Sequence, residues 1–136
     1  MSSTILKKII RQYVGEIPIL QNIAHRIGIR EIFLNHISSH GNEKIHSADS
    51  LMLLIYNITC GRQPLYELEQ WVSKMDPRMF KCIDFVDGIF NDDRFGRALD
   101  KLYHADRASM MTEIVVNTIN AFNIKSDQFH NDSTSV

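Results

Sequence analysis

The sequence lacks any long hydrophobic run. Its most apolar stretch, Leu51 to Ile58, falls far short of the roughly 18 residues a membrane-spanning helix needs. The start, Met1 to Gln12, scatters lysines among isoleucines and has no apolar core followed by a small-residue cleavage site, so no secretory signal is indicated. Cysteine is scarce: Cys60 and Cys82 lie far apart with no CxxC spacing, which excludes a disulfide framework and the usual zinc pattern and fits two free, buried thiols in a reducing compartment. No charge of one sign dominates, since the net charge is −1 and the pI is near 6.6. A strongly basic nucleic-acid binder is thereby excluded. Residues 1–46 carry six Lys/Arg against three Asp/Glu, and 47–136 carry nine against thirteen, so a phosphate-binding surface has to be a local patch. There is no GxSxG nucleophile turn, no glycine-rich phosphate loop, no internal repeat and no low-complexity tract.

What is present reads as one folded domain. The chain has 136 residues, 44% apolar and 23% charged, close to the average for a globular protein. Short amphipathic helices alternate with Gly, Pro, Asn and Asp. Ile19, Ile23 and Ile27 recur every four residues after Pro18 and before Gly28, which predicts a helix over Pro18 to Ile27. A second short helix is expected over Arg30 to His36, then a loop from Ser38 to Glu43. Ser47 is the expected N-cap of a helix through Thr59, apolar nearly all round and therefore central. Gly61 ends it, Pro64 opens a helix with Leu65, Leu68, Trp71 and Val72 on one face, and Asp76-Pro77 signals another start. Asn91 caps a helix from Asp92 to about His104, with Phe95, Ala98, Leu99, Leu102 and Tyr103 as its apolar face. Asp106 caps the last one, with Met111, Ile114, Val115, Thr118 and Phe122 inward and Asn123 as its stop. Phe129 to Val136 looks like the opening of a strand without a ladder partner. The expected fold class is all-α: a compact multi-helix bundle, with an arm over 1–16, a helical domain over 17–124 and a C-terminal stub over 125–136.

The groups that can carry chemistry are few. His36 and His40 have helical ligand spacing, but Ser38, Ser39 and Gly41 argue against a helix there and no third ligand lies near, so no metal site is assigned. His25, His46 and His104 read as solvent-facing or capping groups. Asp92 and Asp93 suit the positive end of a helix better than a cation. Arg94, Arg97, Lys101 and His104 follow i, i+3, i+7, i+10 and form a basic stripe able to meet DNA phosphates, with Asp93 and Asp100 available to pair with it. Ser47 to Ser73 has the outline of a helix-turn-helix. Tyr66, Glu67, Glu69 and Gln70 on its second helix include two glutamates that repel phosphate, so ordinary helix packing is the better reading.

Three stretches in order carry a resemblance: Gln63-Pro64-Leu65-Tyr66 with Trp71, Asn91-Asp92-Asp93-Arg94 with Arg97-Ala98-Leu99-Asp100, and His130-Asn131-Asp132-Ser133-Thr134-Ser135. Together with Val14-Gly15-Glu16-Ile17-Pro18-Ile19-Leu20 and Arg26-Ile27-Gly28-Ile29-Arg30, they resemble the N-terminal region of bacterial and archaeal insertion-sequence transposases related to the IS4-like set. The resemblance spans about residues 13–136. It implies a helical domain placed before an RNase H-like DDE catalytic domain, with residues 125–136 as the stub of that domain's first strand and Asp132 as the first acid of the triad. In the full-length family three carboxylates hold two magnesium ions for strand cleavage and transfer. Only Asp132 is matched here, so the resemblance implies a truncated, non-enzymatic fragment with no cofactor of its own.

The expected function is support of transposon-end DNA binding or of transposase assembly, with Arg94, Arg97 and Lys101 on the DNA. The alternative is a protein-interaction or dimerisation module that pairs with itself or with a separate catalytic fragment. A metal phosphohydrolase built on Asp92, Asp93 and Asp132 is the weakest of the three. The expected location is the prokaryotic cytoplasm, at the nucleoid if bound to DNA, with no membrane partner.

Overall fold

Pro18 in a first turn and Gly28 after a last one bound the first helix, α1, at Ile17–Ile27. Gly28 adopts φ 77°, the left-handed region that glycine enters without a Cβ clash, and its N–H donates to the carbonyls of Ala24 and His25. The same residue starts α2, Ile29–His36, so two helices meet at a single-residue corner. The computed structural model describes residues 11–39, 41–76, 79–80, 88–125 and 127. Within them follow α3 (Ser47–Tyr56), a π-helical turn (Asn57–Gly61), a 3-10 turn (Leu65–Glu67), α4 (Leu68–Ser73), α5 (Asp92–His104) and α6 (Arg107–Phe122). Among the described residues the protein is all-α. Among those residues the one β feature is an isolated parallel bridge between Tyr13 and Met75, with the Tyr13 N–H on the Lys74 carbonyl at 2.9 Å. Tyr13 thereby ties the arm to the end of α4. The expected strand opening, Phe129 to Val136, lies outside the described residues, as does Pro77 at the expected helix start.

α3 is the central element. Ser47 through Leu54 and Tyr56 are all buried, as the nearly all-apolar sequence requires, and α3 packs most extensively on α5. Its N-cap differs from expectation. His46 takes that place, its Nδ1 accepting from the Ala48 N–H at 3.0 Å, because the Ser47 side chain turns instead toward the Glu43 carboxylate. On α5 the inward residues are Phe95 and Ala98, with Leu102 partly buried. Leu99 and Tyr103 lie outside, so the apolar face is narrower than its sequence pattern. Asn91 caps α5 as expected, accepting from the Arg94 N–H at 3.0 Å.

Two faces are rotated from the expected ones. α1 buries Ile17, Ala24 and Ile27 and turns Ile19 and Ile23 outward. α6 buries Met110 and leaves Met111 and Val115 exposed, while Ile114, Thr118 and Phe122 of the expected face are half-buried and Ile114 packs on the core. The rotation of α6 is fixed by polar contacts: Asn117 donates to the Ile27 carbonyl at 3.0 Å, His36 meets Glu113 at 2.8 Å, and Arg26 donates to the Ala121 carbonyl while lying over the Phe122 ring. Asp106 caps α6 through the Ser109 N–H and hydroxyl, and those bonds hold its carboxyl below the ordinary carboxylate value. Asn123 ends the helix in the left-handed region.

Leu65 also departs from its expected face. Pro64 opens a 3-10 turn rather than an α-helix, and with three residues per turn instead of 3.6 Leu65 falls outside while Leu68 and Val72 are fully buried.

Candidate functional site

The basic stripe of α5 becomes a site through what packs beside it. Helical spacing puts Arg94, Arg97 and Lys101 on one side of α5. All three line a cavity of about 360 Å³ whose opposite wall is Asn42, Glu43, Lys44, Ile45 and Ser47. That wall is the loop entering α3, so the positive N-terminal end of the central helix opens into the same space. Four cationic side chains (Lys44, Arg94, Arg97, Lys101) face one anionic side chain, Glu43.

Glu43 occupies the middle of this arrangement. Its carboxylate pairs with the Lys101 ammonium and accepts from the Ser47 N–H at 3.3 Å, with the Ser47 hydroxyl 3.4 Å from both carboxylate oxygens. The anion that neutralises Lys101 thus comes from the loop, not from Asp100 on α5. Arg94 is left differently: its Nε is sealed from water and has no hydrogen-bond partner. An unmatched buried N–H costs about 1–3 kcal/mol, and such groups are few in native proteins.

The remaining sequence candidates lie elsewhere. His104, fourth in the stripe, is exposed and its Nδ1 lies 2.8 Å from the Asp100 carbonyl. Asp92, Asp93 and Asp100 line a separate shallow cavity with Tyr66 and Leu65, which shares Arg97 with the basic one. Asp92 is engaged locally, accepting from the Asp93 N–H. Among the described residues no three His, Cys, Asp or Glu side chains converge as metal ligands. His36 is committed to Glu113, while His40, Cys82, Asp132 and the motif around it lie outside the described residues. Cys60, half-buried against the core, has its thiol pushed up first by burial and then by Glu16. The helix-turn-helix outline from Ser47 to Ser73 is interrupted by the π-helical and 3-10 turns.

A second cavity, of about 330 Å³, lies against α1, α2 and α3, lined by Met52, Leu53, Met79 and Phe80 with the Arg30–Asp49 ion pair at its polar end. Its Arg30 and Asp49 already satisfy each other at 2.7 and 3.1 Å. The basic cavity is therefore the better ligand site.

Sequence spacing found Arg94, Arg97 and Lys101 and missed Lys44, Glu43 and Ser47. These sit some fifty residues earlier, and no local pattern joins them to α5. None of the helices among the described residues is long and apolar enough to cross a membrane. No curated protein and no solved structure matches the chain. A family model described as a domain of unknown function, DUF4277, matches residues 9–116, most of the sequence, and the chain belongs to that family.

Proposed function

We propose that this domain is a non-catalytic, N-terminal helical part of an IS4-like insertion-sequence transposase, and that it supports binding of the transposon-end DNA through the phosphate backbone. The observation that carries this reading is the convergence of Arg94, Arg97 and Lys101 with Lys44 on one cavity beside the N-terminus of α3. Guanidinium groups suit phosphate oxygens because their planar N–H forks match them in pairs. The net charge of −1 confines such contact to this patch. The Asp132 motif supports placement before a DDE domain only by sequence resemblance, and any chemistry belongs to residues outside this helical domain.

The test is a gel-shift titration against a duplex carrying the inverted repeats that flank its gene, over a salt series. Changing Arg94, Arg97 and Lys101 together to alanine is expected to weaken binding by roughly ten- to a hundredfold and to flatten the salt slope by about two to three. Absence of salt-sensitive binding, or binding indifferent to those changes, removes the DNA role.

A second reading, a dimerisation module, rests on a separate observation. Between Arg107 and Lys125 the only charged residue is Glu113, which faces His36. The outer face of α6 (Met111, Thr112, Val115 and Val116) is exposed and carries no charge, unlike an ordinary solvated helix face. On this reading the chain self-associates at tens of micromolar in light scattering, and Val115→Lys restores the monomer. A native chain that is monomeric at all concentrations sinks it.

A further inference from the structure

The basic cavity is built for an anion that is already imitated. Glu43 places its carboxylate where a bound phosphate would sit: against the Ser47 N–H at the start of α3, beside the Ser47 hydroxyl, and on the Lys101 ammonium. α3 is ten residues long and its N-cap is already supplied by His46, so Glu43 is not needed as the cap. One carboxylate also leaves the charge of the cavity unbalanced, with Lys44, Arg94 and Arg97 around it. A backbone phosphodiester carries the same single negative charge on two free oxygens as a carboxylate, so it can take the carboxylate's place on the same donors.

We propose that Glu43 is a resident competitor in a phosphate seat, and that a backbone phosphate binds by displacing its carboxylate from Lys101 and from the start of α3. The inference deepens the DNA-binding reading and rests on it. Displacement makes a distinct statement about energetics. In the native chain Lys101 exchanges one anion for another, so its loss costs only part of its attraction for the phosphate. Once Glu43 is neutral, Lys101 gives its whole attraction to the phosphate, and its loss then shows in full.

The experiment is a double-mutant cycle in duplex binding, read by fluorescence anisotropy at fixed salt with native, Glu43→Gln, Lys101→Met and the double variant. Asp100→Asn serves as the control for net charge alone, since it makes the same change on the other side of α5. Glu43→Gln is expected to tighten binding by about three- to tenfold and to steepen the salt slope by about one, with Asp100→Asn well below that. Lys101→Met is expected to weaken binding in both backgrounds, and by about three- to tenfold more in the Glu43→Gln background than in the native one. Equal gains for Glu43→Gln and Asp100→Asn, or the same Lys101→Met effect in both backgrounds, overturn the competitor while leaving DNA binding intact. A native chain and Glu43→Gln variant that both fail to bind duplex at low salt overturn the DNA reading instead.

Should Glu43→Gln not fold, the native protein still decides. Titration with the duplex, and separately with inorganic phosphate, is expected to shift the Ser47 and Ala48 amide resonances together with the Lys101 ammonium. Shifts with the duplex alone assign the seat to a nucleic-acid backbone. Shifts with inorganic phosphate alone keep the seat and remove DNA as its source. Binding that leaves all three groups unmoved overturns the seat.

Discussion

Phe95→Ala is expected to lower the stability of this domain by about 3–5 kcal/mol. Phe95 is fully buried on α5, the helix that packs most extensively on central α3, and its ring lies 6.4 Å from that of Phe90. Its neighbour along the inward face is Ala98, which is too small to move into the space a missing ring would leave. The cavity therefore stays open, and its volume adds to the lost transfer energy. For a domain with a typical stability of about 5–15 kcal/mol, that is a large fraction. Urea denaturation should show the midpoint falling with the slope unchanged. Tyr103→Ala, from the same sequence pattern but 65% exposed, should cost under about 1 kcal/mol. A Phe95→Ala loss no larger than that of Tyr103→Ala would show that α5 is not docked through this ring.

That contrast also shows which parts of the fold the sequence reveals. Helix ends are chosen by neighbours within four residues, so Pro18, Gly28, Asn91, Asp106 and Asn123 mark boundaries that the structure keeps. Helix rotation is chosen by whatever packs against the helix. On α6 the sequence permits Met110 or Met111 to lead the inward face, and the choice falls to Asn117 on the Ile27 carbonyl and Glu113 on His36, contacts across 90 and 77 residues. On α1 the every-fourth isoleucines Ile19 and Ile23 turn outward while Ile17 and Ala24 meet the core, and only Ile27 of that pattern is buried. The candidate site divides the same way. The spacing of Arg94, Arg97 and Lys101 is visible on one helix, whereas the Glu43–Ser47 wall reaches it only after the chain has folded back.

The turn after α3 supplies the second large effect. Asn57→Ala is expected to destabilise the domain by about 2–3 kcal/mol. Asn57 is 4% exposed, and its amide serves both backbone groups of one residue: Oδ1 accepts from the Gln63 N–H at 2.9 Å and Nδ2 donates to the Gln63 carbonyl at 2.8 Å. The side chain thus stands in for a strand partner where the chain leaves a π-helical turn and Arg62 takes the left-handed conformation at φ 51°. Gly61 completes the constraint, because a Cβ there would come within 2.7 Å of the Trp71 ring and 2.8 Å of Asn57 Oδ1. Sequence reading assigns Gly61 to helix termination, and the structure adds this close approach as a second reason for glycine. Two substitutions separate the hydrogen bonds from the packing. Asn57→Leu restores volume without donor or acceptor and should lose nearly as much stability as Asn57→Ala. Gly61→Ala should lose stability even though both Asn57 bonds remain chemically available. If thermal or urea unfolding finds Asn57→Leu as stable as the native chain, the turn is held by the packing of Trp71 and not by the Asn57 amide.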